Sequence, residues 1–174
     1  EGLDDVQVRG TPGVLTDNYN PRDKTLNLSQ GVAQQPSVAS LAVVAHELGH
    51  ALQDHQGYAP LKLRGAIVPA VQVSAWVAPA LFFIGLLIGV TQLAWLGVIF
   101  FGASVAFALI TLPVELDASR RALRLLETYQ LADGSELQGA RSVLNAAALT
   151  YVAALAQTLA TMLYYVSILN RRRR

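Results

Sequence analysis

Polar and apolar positions divide the chain into a polar, turn-rich opening and three long apolar stretches joined by charged connections. In residues 1–35, Val14-Leu15-Thr16 and Thr25-Leu26-Asn27-Leu28 read as short strands, and Asp17 to Asp23 between them is turn chemistry. A small β-hairpin is expected there. Pro36-Ser37 then opens a helix with Ser37 at its N-cap. Val38, Leu41, Ala42, Ala45, Leu48, Gly49 and Leu52 follow at helical spacing, and Gly57 and Pro60 stop the run.

No Asp, Glu, Lys or Arg occurs in the 49 residues from Ala66 to Val114. A helix in a soluble core does not need so long a charge-free run, but a bilayer does. Two membrane spans fit inside it: one within residues 66–90, bent at Pro69 and Pro79, and one from about Leu93 to Leu112. Thr91-Gln92 is a poor linker, so the spans form a tight hairpin. Pro113 to Gln130 is amphipathic and charged. Asp133-Gly134-Ser135 breaks it, and Ser135 caps a short helix through Arg141. Val143 to Leu169 is the third apolar stretch. It holds Asn145, Thr150, Gln157, Thr158 and Thr161, so it either spans or packs partly against the rest. The expected organisation is residues 1–60 as hairpin and helix, 61–114 as a transmembrane hairpin, 115–142 as a charged helical region and 143–174 as an apolar helix with a basic tail. Together they make one integrated domain.

Composition agrees with the pattern. The chain is 53% hydrophobic and 14% charged, against about 25% charged in an ordinary soluble protein. A net charge of +1 gives no electrostatic case for nucleic acid. The tail, Arg171 to Arg174, suits anchoring to lipid headgroups. With no cysteine, disulfides and thiolate metal sites are excluded.

The chemistry concentrates in His46-Glu47-Leu48-Gly49-His50. Histidines four apart on a helix lie about 40° apart around its axis, one turn apart on one face. One zinc ion can accept both imidazoles, and Glu47 projects beside it as a general base. A catalytic zinc usually takes a third protein ligand. His55 lies nine residues after His46, about 180° around a continuous helix, and points away. Glu115 and Asp117 lie where the charge-free run ends. Two crossings return the chain to the side it left, so either can reach the histidines. They stand about 200° apart on a helix, so both cannot face one metal.

These residues carry a resemblance. His46 to His50, a hydrophobic hairpin, and then Leu112-Pro113-Val114-Glu115-Leu116-Asp117-Ala118-Ser119-Arg120-Arg121-Ala122 resemble the YugP-type family of bacterial membrane zinc metallopeptidases. Leu15 to Arg22 and Ala147 to Ala153 also look like that family. More distantly, the layout is similar to the HtpX and CAAX-prenyl endopeptidases, whose glutamate ligand stands in an E-x-x-A-D context. The resemblance implies a mainly α membrane protein: a zincin-like metalloprotease core of small β-hairpin and active-site helix, with two to three transmembrane helices. It favours Glu115 over Asp117 as the third ligand, giving a gluzincin-like site of His46, His50 and Glu115 around one Zn²⁺. Ser119 stands where the pattern has aspartate, so it or Asp54 is expected to orient a ligand histidine. Family members begin with a further membrane helix. Since this chain opens on Glu1 rather than Met, it is expected to be processed or truncated.

The expected activity is endopeptidase hydrolysis by Glu47-assisted attack of zinc-bound water on a peptide or membrane-protein substrate. Tyr151 is the favoured donor to the tetrahedral intermediate, ahead of Tyr58 and His55. The strand around Leu26 is expected to offer an edge to extended substrate. The alternative is an accessory subunit of a larger membrane complex that retains a zinc site. Lys62, Arg64, Arg120, Arg121, Arg124 and Arg141 flank the spans on the catalytic side, which favours a cytoplasmic active site in a bacterial inner membrane.

Overall fold

The computed structural model describes residues 2–172; Glu1 and the end of the expected basic tail, Arg173 and Arg174, lie outside it. Three strands, β1 (Gln7–Thr11), β2 (Asn18–Asn20) and β3 (Thr25–Ser29), precede five helices. These are α1 (Gln30–Gln34), α2 (Val38–His55), α3 (Ala59–Leu87), α4 (Thr91–Thr128) and α5 (Gly134–Arg172). The protein is mainly helical with one small sheet, and α3, α4 and α5 are each long and apolar enough to cross a membrane.

The chain forms two compact units. The first comprises residues 1–62 and 113–150, the second residues 63–112 and 151–174. In the first, the sheet runs β1-β3-β2, with β3 parallel to β1 and antiparallel to β2. Leu26 and Leu28 of β3 are buried. The hairpin exists, but its first strand is Asn18–Asn20 rather than Val14–Thr16. Val14 and Leu15 stand exposed in the loop before it, with Leu15 in the left-handed region at φ 58°. Tyr19 pairs opposite Leu26, so tertiary pairing overrides the turn preference of its asparagine neighbours.

Ser37 caps α2 as expected, accepting a hydrogen bond from the backbone N–H of Ser40. After the helix ends at His55, Gly57 adopts φ 66°, a conformation that glycine takes without steric penalty. Ala42 and Ala45 of α2 bury against Ala122 and Leu126 of α4 and Ala140 and Leu144 of α5. One expected helix end is absent: α5 runs unbroken through Arg141 into the apolar stretch. Pro113 lies inside α4. Apolar helices accommodate proline when neighbouring groups satisfy the backbone acceptor it frees. The N-terminal turn of α5 is capped by Asp133 rather than Ser135: its Oδ1 accepts the N–H groups of Ser135 and Glu136, and Glu136 Oε2 accepts from Asp133 N. This reciprocal pair is a capping box.

In the second unit, Phe82 of α3 packs with Ala94 and Val98 of α4 and Leu169 of α5, and Tyr165 stacks on Phe82 at 4.1 Å. Glycines let α3 and α4 approach closely. A Cβ at Gly97 would lie 2.7 Å from Ala78 O, and one at Gly85 would lie 2.4 Å from Ala94 N. Small residues at helix contacts are how apolar helices pack where the hydrophobic effect offers no drive between them.

Candidate metal centre

His46 and His50 stand one turn apart on α2, their rings edge to face at 4.8 Å. Glu115 reaches them from α4. His46 Nε2 lies 3.1 Å, and His50 Nε2 3.5 Å, from the same oxygen, Glu115 Oε2. One donor atom from each of the three lies within 4.8 Å of the others. Zinc held at about 2.0–2.1 Å by each tetrahedral ligand sets neighbouring donors about 3.3 Å apart. The donor set, and the 3.1 and 3.5 Å spacings of the two imidazoles from Glu115, fit that ion.

Gly49 is what lets the two halves meet. A Cβ there would lie 2.4 Å from the carbonyl oxygen of Ala118, so α2 and α4 touch backbone to backbone between His46 and His50. Ala118, fully buried, continues the small face on α4. The crossing also buries Glu115, which is 2% exposed. A buried carboxylate is costly unless cations or donors surround it. Burial opposes the charged form of His50, but the hydrogen bond and charge of Glu115, with the charge of Glu47, outweigh it and hold its pKa above the ordinary imidazole value.

Each histidine has a partner on its other nitrogen. Ser119 Oγ lies 3.2 Å from His46 Nδ1. Gln53 Oε1 lies 2.9 Å from His50 Nδ1. Gln53 did not stand out in the sequence, although its position three residues after His50 on one helix was an available signal. Asp117, the rival ligand, turns from the histidines. Its Oδ2 accepts from Gln53 Nε2 at 2.9 Å and from Arg121 Nε at 2.5 Å.

Glu47 is buried, and its Oε2 accepts a hydrogen bond from the backbone N–H of Tyr19 at 2.8 Å. Asp54 is brought to Tyr19, whose hydroxyl donates to it at 2.9 Å. Burial and this bond push the Tyr19 phenol well above its ordinary pKa. Two bonds from one residue therefore fasten β2 to α2. Tyr19 falls within the Leu15 to Arg22 segment that carries the resemblance, but nothing local in Asn-Tyr-Asn points to a helix 28 positions on. Leu26 does not sit on an edge. β3 pairs on both sides, and the edge strand beside Glu47 is β2. His55 is exposed at the end of α2. Tyr151 lies on α5 within the second unit.

Comparison with known proteins converges on this chemistry. A family model described as "Putative neutral zinc metallopeptidase" matches residues 1–170. The chain belongs to that family. It is 45% identical over 172 residues to the "Putative membrane protease YugP" of Bacillus subtilis (strain 168), covering 98% of this chain and 76% of that one. No solved structure matches.

Proposed function

We propose that this protein is a membrane-bound zinc endopeptidase of the gluzincin type, with one zinc ion held by His46, His50 and Glu115. The observation that carries the reading is the convergence of two imidazole Nε2 atoms on one buried carboxylate oxygen, with a second carboxylate, Glu47, on the same helix. Zinc bound there supplies a Lewis acid that polarises a carbonyl and acidifies water.

The chain's own groups do the rest. Tyr19 N–H holds Oε2 of Glu47 and so sets the orientation of the carboxylate. Glu47 takes one proton from the attacking water as its oxygen bonds to the peptide carbon. It then delivers that proton to the amide nitrogen as the C–N bond breaks, giving a carboxylic acid and an amine, and the second water proton passes from the acid to the amine so that they leave as carboxylate and ammonium. Ser119 and Gln53 hold the two imidazole rings in register. The three apolar helices and the basic residues beside them support an inner-membrane location with the centre facing the cytoplasm.

Glu47→Gln keeps the size of the side chain but removes the base. The purified variant is expected to retain stoichiometric zinc by metal analysis and to lose roughly three orders of magnitude or more in peptide hydrolysis. Hydrolysis at wild-type rate would refute the mechanism. Zinc in the wild-type chain without any hydrolysis would favour an accessory subunit instead.

A further inference from the structure

We infer that Gln53 is the positioning residue of the centre, fixing the tautomer and ring orientation of His50 and tying both to the helix that carries Glu115. The inference rests on the metal-centre reading above.

Gln53 is fully buried, and every polar atom of its carboxamide has a partner. Nε2 donates to Val114 O at 2.8 Å and to Asp117 Oδ2 at 2.9 Å. A carbonyl and a carboxylate can only accept. The nitrogen end must therefore face α4, and Oε1 must face His50. Oε1 cannot donate, so the proton on the His50 ring belongs on Nδ1, which lies 2.9 Å away. That leaves Nε2, 3.5 Å from Glu115 Oε2, as the ring nitrogen that would face a cation bound there.

The arrangement also couples the two halves of the site. Val114 precedes Glu115, and Asp117 follows it by two residues. One carboxamide thus reads the register of α4 and transmits it to an imidazole on α2. Asp117 is held in turn by Arg121, whose Nη1 donates to Gln56 Oε1 at 2.6 Å, closing the network back onto the end of α2. His46 has a weaker partner, the Ser119 hydroxyl at 3.2 Å.

The test uses the full chain in detergent, with zinc affinity read by competition with a chelator and ligand field read from the absorption spectrum after cobalt(II) substitution. Gln53→Met preserves length and bulk but removes all three hydrogen bonds. It is expected to weaken zinc binding roughly 10- to 100-fold and to shift the cobalt bands. The double exchange of Gln53→Glu with Asp117→Asn reverses the donor and acceptor between the two positions. It keeps an oxygen for His50 Nδ1 and restores a donor–acceptor pair with position 117, but turns an acceptor towards Val114 O, so it is expected to regain at least about threefold over Gln53→Glu alone while staying below wild type. Gln53→Glu alone sets two carboxylates against each other and is expected to lose at least roughly tenfold. The pair of Gln53→Glu and the double exchange carries the test if Gln53→Met does not fold. Unchanged affinity and cobalt spectrum in Gln53→Met, or a double exchange no better than Gln53→Glu, would overturn the inference. A wild-type chain that binds no zinc would overturn the metal-centre reading itself.

Discussion

Glu115 and Asp117 are two residues apart on α4, and their environments separate their roles. Glu115 is buried against both imidazoles, while Asp117 is tied to Gln53 and Arg121. Glu115→Ala is therefore expected to lose its zinc on dialysis, with Asp117→Ala retaining a stoichiometric ion under the same conditions. Equal zinc loss in both would remove the case for Glu115 as the ligand. Ser119→Ala takes the partner from His46 Nδ1 and is expected to weaken zinc binding roughly tenfold, measured by chelator competition. The histidine pair was legible because a four-residue spacing fixes geometry within one helix. Glu115 was legible only to within two residues, from the end of the charge-free run. Gln53 became visible when the crossing of α2 and α4 put it against Val114, 61 positions away.

Gly49 sets the distance between the elements that carry the site. With Ala118 O in the place a Cβ would occupy, Gly49→Ala must push α2 and α4 apart or bend one of them. Overpacking of this kind costs about 1–3 kcal/mol, which a lowered Tm would report. The same displacement separates Glu115 from His46 and His50, so zinc affinity is expected to fall with stability. A variant with reduced Tm and wild-type zinc affinity would show that the crossing supports the fold without setting the site. The sheet was the least legible part. β1 is largely exposed and has no apolar alternation, and β2 consists of three residues with turn-like composition. Both are strands because β3 pairs with them, and β2 is further held by Glu47 and Asp54. Local propensity carries no record of such partners. Conversely, the helix end expected after Arg141 reflects local preference, which a long helix overrides.

At the scale of the whole molecule, the number of crossings decides which side of the membrane each connection occupies. α3, α4 and α5 each meet the length and hydropathy of a span. α5 is the least obvious, because Thr150, Gln157, Thr158 and Thr161 fall within its apolar stretch. Three of their hydroxyls donate to backbone carbonyls of their own helix: Thr150 to Ala147, Thr158 to Ala154 and Thr161 to Gln157. A hydroxyl satisfied within its helix is far less costly in hydrocarbon than a free one. The third stretch is thus compatible with crossing, and three crossings place Gly57 and the α4–α5 connection on one side and the end of α5 on the other. The chain has no cysteine, so single substitutions can report the sides without background. In inside-out membrane vesicles, Gly57→Cys and Asp133→Cys are expected to react with a membrane-impermeant maleimide, and Asn170→Cys only after detergent is added. Reaction of all three before detergent would mean that α5 does not cross. Reaction of Asn170→Cys alone would preserve three crossings but turn the catalytic side away from the cytoplasm.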